Sequence, residues 1–355
     1  MVMVPVGETG PPDLEPMSLS LLGRWFGVPL LIIGTIVGGA VVVVLLFGGP
    51  ASAEQWSVAS LLQTLESSGG ERSAGVLLPR EKELWQTALE LSERLAKKEA
   101  ELTSEELHTV ARRLATMVEV DLANLGRITA FGDDLSTQRE LRSSRFDFLM
   151  RALARTECNE AIDPLIRVLV SGREPYVAVA MQQLGNLHGL PGAKRAVEPI
   201  LAVLEKSNRA ETLLTGCTVL SVLAERDDRR VVDALSAVRL ANDGEVEWSA
   251  ALALARFGSA AGKSTLLDLL DRTHLESGER YQVTDESGKV HRYSLERGRV
   301  DAILIAVMDA ASHLDDADLW GMIDRLTSDP SPAVRGKAME VTQRQAESVT
   351  LGGES

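Results

Sequence analysis

Three segments of this chain line up at a constant step of 35 residues. Asp163 to Val170 reads DPLIRVLV, Glu198 to Glu205 reads EPILAVLE, and Asp233 to Leu240 reads DALSAVRL. Each opens on an acid, and in the first two a proline follows. That is the chemistry of a helix start, where negative charge meets the dipole and a missing N–H costs little. A second apolar segment at helical spacing follows each: YVAVAMQQLGNL from Tyr176, LLTGCTVLSVLA from Leu213 and VEWSAALALARFG from Val246. A single helix pair cannot bury its apolar face alone, so a repeated pair dictates stacking on its neighbours. Aromatic residues are only 4% of the chain. A core of Leu, Val and Ala suits packed helices better than sheets.

The pattern extends in both directions. Downstream, KSTLLDLLD from Lys263 pairs with RVDAILIAVMDAA from Arg299, and DLWGMIDRLTSD from Asp318 pairs with PAVRGKAMEVT from Pro332. Upstream and less regularly, Trp56 to Glu66 pairs with Glu83 to Leu95. Thr103 and Glu106 form a capping box that opens another helix, and Thr137 with Glu140 reads as a second box opening its partner, which ends near Ala154. The total is seven pairs.

These pairs resemble HEAT repeats, including the variety named after phycobilisome lyases. Asp329-Pro330, Val334-Arg335 and Ala338 follow the family pattern of a turn, then Val-Arg, then small residues at helical spacing. Asn242, Asp243, Val246, Ala250, Ala251 and Leu254 follow it with Glu247 where Arg is usual. Pro175, Val177, Ala180 and Leu184 follow it without the Arg. The expected fold is all-α: an armadillo-type α-solenoid of about seven HEAT-like helix pairs. Irregular pairs fill 55–156 and HEAT-like repeats fill 157–345, with tails expected to be disordered at 1–25 and 346–355. The resemblance implies a surface for protein–protein interaction. Some relatives of the lyase type attach chromophores, which leaves a lyase-like enzyme as the alternative.

From Phe26 to Phe47 the chain has no charged residue. As a helix these residues span about 33 Å, which matches a hydrocarbon core of about 30 Å. The expectation is one transmembrane helix at 26–48, anchored in the lipid bilayer through Phe26, Pro29, Gly34, Gly38 and Phe47. Gly34 and Gly38 form a GxxxG, which reads either as a homodimer face or as the ordinary glycine of membrane helices. Arg24 is the only basic residue before the span, and the next after it is Arg72. By the positive-inside rule the large domain lies outside the cytoplasm. Ala51-Ser52-Ala53 resembles a signal-peptidase site, and cleavage there would release a soluble, secreted solenoid. The apolar run is longer than the ~7–15 residues of a signal peptide, which favours a retained single-pass anchor.

An insertion interrupts the sixth pair, from about 271 to 298. Alternation on either side of Ser287-Gly288 predicts a β-hairpin. Tyr281, Val283, His291 and Tyr293 are the expected partner contacts. The other reading is a solvated excursion with no partner.

The net charge is −14. Nucleic-acid affinity comes largely from clustered Lys and Arg, so binding to nucleic acid is not expected. Gly258 to Thr265 reads GSAAGKST, but a phosphate loop needs four residues between its glycines and a preceding strand. Among His108, His188, His274, His291 and His313 no pair has helical ligand spacing, which leaves only a metal site assembled from distant residues. Cys158 and Cys217 read as small buried side chains. No catalytic residue, cofactor or metal ligand is assigned, and the expected role is a non-catalytic scaffold in a membrane or envelope complex.

Overall fold

The computed structural model describes residues 57–67, 77–97, 102–125, 134–174, 176–242, 244–277, 282–284, 290–292 and 295–352. They build an all-α fold of fifteen α-helices. The first four are α1 (Val58–Ser67), α2 (Leu77–Lys97), α3 (Ser104–Asn124) and α4 (Asp134–Arg155). Then come α5 (Ile162–Val170), α6 (Tyr176–Asn186), α7 (Val197–Lys206), α8 (Ala210–Leu223), α9 (Arg229–Ala241) and α10 (Gly244–Arg256). The last are α11 (Lys263–Leu270), the short α12 (Arg272–Glu276), α13 (Arg297–Ala311), α14 (Ala317–Arg325) and α15 (Pro332–Gly352).

Packing sorts fourteen of these helices into two rows. Helices α1, α3, α5, α7 and α9 each touch the next, α9 meets the turn before α11, and α11 touches α14. Helices α2, α4, α6, α8, α10, α13 and α15 form the second row, again each against the next. Between rows, seven partners pack together: α1 with α2, α3 with α4, α5 with α6, α7 with α8, α9 with α10, α11 with α13, and α14 with α15.

Burial follows the sequence step. Leu165, Ile200 and Leu235, 35 residues apart, are fully buried on α5, α7 and α9. Leu184, Val219 and Leu254 repeat the step on α6, α8 and α10 and are also buried. Helix α10 buries two faces. Val246, Ala250 and Leu254 join the core that begins at α1, while Trp248, Ala251 and Ala255 join the one that ends on α15. Phe146 on α4 meets Tyr176 of α6 edge to face at 4.9 Å, tying the less regular early pairs to the regular ones.

The capping box at Thr103 forms as expected. Glu106 N–H donates to the threonine hydroxyl, and the Glu106 carboxylate accepts from the Thr103 amide at 2.8 Å. The helix start expected at Thr137 lies earlier, since α4 is already running from Asp134 and an N-cap must precede its helix. Helix α2 starts at Leu77 rather than Glu83, and α15 runs to Gly352, beyond the boundary expected at 345. The expected anchor at 26–48, with Phe26, Pro29, Gly34, Gly38 and Phe47, lies outside the described residues. Among the described residues no helix is long and apolar enough to cross a membrane.

Candidate functional site

The first-row helices are amphipathic, and their eighth repeat position faces away from the core. Val170 is 66% exposed and Leu240 is 74% exposed, at the C-terminal ends of α5 and α9. Glu205 holds the same position on α7 and is exposed. Val120, near the end of α3, is a third exposed aliphatic side chain in this row.

Ion pairs bridge successive helices of this row. Glu66 accepts two hydrogen bonds from Arg113, and Glu119 pairs with Arg167. Asp163 pairs with Arg195 at 2.9 Å and Glu198 with Arg230 at 2.7 Å. The last two repeat with the same step of 35, so the acid that opens each repeat also reaches the next unit. In the third repeat Asp233 stands where those acids stand, and Thr265 stands where the arginines do. The pairs are half-exposed, so each is worth at most about 1 kcal/mol. Their use is in registering neighbours.

The base of the insertion is held far more firmly. Arg272 opens α12 and is only 11% exposed. Its Nε and Nη2 donate to the two oxygens of Asp329 at 2.7 and 2.8 Å, and Nη2 also donates to Asp301 at 2.5 Å. Asp329 is 2% exposed and accepts from the Ser331 amide at 2.8 Å, while its backbone carbonyl accepts from Arg335 at 2.6 Å. Of the residues noted in the sequence as a turn pattern, Asp329 and Arg335 thus belong to one joint with Arg272, while Val334 and Ala338 are buried in the core between α15 and its neighbours. Burial pushes the Asp301 carboxyl up, but hydrogen bonds from Ser331 and Arg272 outweigh it and hold it below its ordinary value.

Within the insertion, Gln282–Thr284 and Val290–Arg292 pair as antiparallel strands, with Val283 opposite His291. Tyr281, Tyr293 and the turn expected at Ser287-Gly288 lie outside the described residues. A groove of about 510 Å³ lies elsewhere, lined by His313, Trp320, Val341 and Arg344 among others. Burial, with the charges of Arg226, Arg256 and Arg344, holds the His313 imidazole below its ordinary value against the pull of Asp309. No sequence pattern marked this groove, since its lining comes from three separate segments.

The string resembling a phosphate loop has structural work. Gly258 takes φ +73° and closes α10, with its own amide bonded to the Ala255 carbonyl and that of Ser259 bonded to Leu254. Gly262 lies so close to α10 that an added Cβ would stand 2.8 Å from the Ala251 Cα. Lys263 Nζ pairs with Asp316 at 2.6 Å and Asp318 at 2.7 Å.

The cysteines are buried and free. Burial pushes the Cys217 thiol up to about 12, the opposite of an activated nucleophile. Cys158 lies in the turn between α4 and α5, with His108 and Glu160 beside it, a grouping with no local sequence signal. Burial, opposed by hydrogen bonds from its own backbone and from His108, leaves the Glu160 carboxyl below its ordinary value. No family model and no curated protein matches the chain.

Proposed function

We propose that this chain is a membrane-anchored α-solenoid of HEAT-like repeats that works as a protein-binding scaffold, a non-catalytic subunit of a membrane or envelope complex. The observation that carries the reading is the two-row stacking of seven helix pairs, with burial repeating every 35 residues in the third to fifth of them. Stacked repeats of this kind offer long continuous surfaces to partners. Val170 and Leu240, at the same repeat position two repeats apart and both exposed on the first row, supply apolar contact points on such a surface. Phe26 to Phe47, without a charge, supports the anchor, and Arg24 supports a domain outside the cytoplasm. The strand-bearing insertion, including Val283 and His291, is the second contact element in this reading.

Purification of the full chain from its own membranes in mild detergent tests this reading. A discrete complex with a partner in fixed ratio is the expected result. A solitary particle would contradict it, and a mature chain beginning after Ala53 would replace the anchored form with a secreted one.

A further inference from the structure

We propose that His108, Cys158 and Glu160 form a binding site for a divalent transition metal of borderline softness, zinc by class. The three residues come from α3 and from the turn between α4 and α5. One ligand atom of each lies within 4.8 Å of the other two. His108 Nδ1 stands 2.9 and 3.0 Å from the two oxygens of Glu160. Imidazole nitrogen, thiolate sulfur and carboxylate oxygen are the donors zinc accepts, and three protein ligands leave one coordination position open.

The backbone turns sharply just before this cluster, where α4 ends. Glu157 is the one non-glycine residue with positive φ among the described residues, at +52°, and it sits directly before Cys158. Such backbone is held at a cost and concentrates where a fixed geometry is used. Charge favours a cation as well. Glu157 and Glu160 both act on Cys158, and the opposing charges near Glu160 are those of His108 and Arg112.

Without metal, the Cys158 thiol donates to the Thr156 carbonyl at 3.2 Å. On binding, the Cys158 S–H proton and the His108 Nδ1 proton that faces Glu160 leave to solvent, the imidazole keeps or takes its proton on Nε2, and the freed sulfur and nitrogen bond the metal. Bond lengths of about 2.0–2.3 Å require His108 and Glu160 to part slightly, and the His108 side chain, 45% exposed, has room to do so. The centre clamps the second helix pair to the third, where the regular repeat begins. It is independent of the scaffold reading.

The test is titration of Co²⁺, then Zn²⁺, into the full chain purified in detergent after chelator treatment. The expected result is one Co²⁺ per chain with a thiolate charge-transfer band, displaced by Zn²⁺, and a higher thermal midpoint with Zn²⁺. Cys158→Ser abolishes the band and Cys217→Ser keeps it. Should Cys158→Ser fail to fold, Glu160→Gln and His108→Gln, both part-exposed, carry the test. Each lowers affinity by at least the roughly 10-fold that losing even an outer partner of a ligand costs. Absence of the band from the full chain, its persistence in Cys158→Ser, or unchanged affinity in Glu160→Gln and His108→Gln would overturn the site.

Discussion

Gly262 is held by its neighbour's backbone. A methyl group there meets the Ala251 Cα at 2.8 Å, and the atom it meets cannot rotate away. Gly262→Ala therefore lowers stability by about 1–3 kcal/mol, as overpacking does, read from a shift in the urea midpoint. At the buried joint, Asp329→Ala leaves the mostly buried Arg272 without its bidentate partner. Breaking such a pair costs about 3–5 kcal/mol, with the lower end expected because Asp301 and Glu276 remain. The same joint sets an acid limit. The folded Asp301 carboxyl titrates below its unfolded value of about 3.9. Its stabilisation is complete above that pH and is lost as pH falls through the lower, folded value. Acid unfolding of Asp301→Asn, followed by circular dichroism, flattens below about pH 4 relative to the parent. If the two acid limbs coincide, Asp301 has no such role. Asp329 was legible in the sequence as a turn residue next to proline. Its partner Arg272 was not, because 57 residues separate them and only the fold brings them together.

At the scale of helices, the step of 35 was legible because side chains that face one core must recur with the unit that carries them. Leu165, Ile200 and Leu235 show it directly. Each substituted by Ala opens a cavity costing about 2–5 kcal/mol. Denaturant titration of the three variants is expected to give losses of similar size, since the three sites are equivalent. A loss below about 1 kcal/mol at one of them would break the equivalence. Helix starts were less legible. Thr103 has the side chain of a cap at a true start, whereas Thr137 has the same chemistry three residues inside α4. Local capping signals do not say whether a helix is already running. The acids at 163 and 198 were read as dipole partners, and they also pair across to Arg195 and Arg230. A contact to the next repeat leaves no mark within its own.

For the whole molecule, the all-α class was legible from low aromatic content and unbroken helical periodicity. The sites were not. His108 and Glu160 lie 52 residues apart, and the groove at His313 draws on three segments, so neither has a local pattern. The proposed membrane anchor is read from the sequence, from a run of uncharged residues at 26–47. In the proposed function, the exposed edge of the first row holds a protein partner at the membrane. Purification from native membranes in mild detergent, comparing the full chain with a Val170→Glu, Leu240→Glu variant, tests it most directly. Both positions are exposed, so folding and membrane extraction are expected to be unchanged. The prediction is a partner in fixed ratio with the parent chain and at least a 10-fold loss of it from the variant. Equal recovery from both, or no partner with either, would contradict the account.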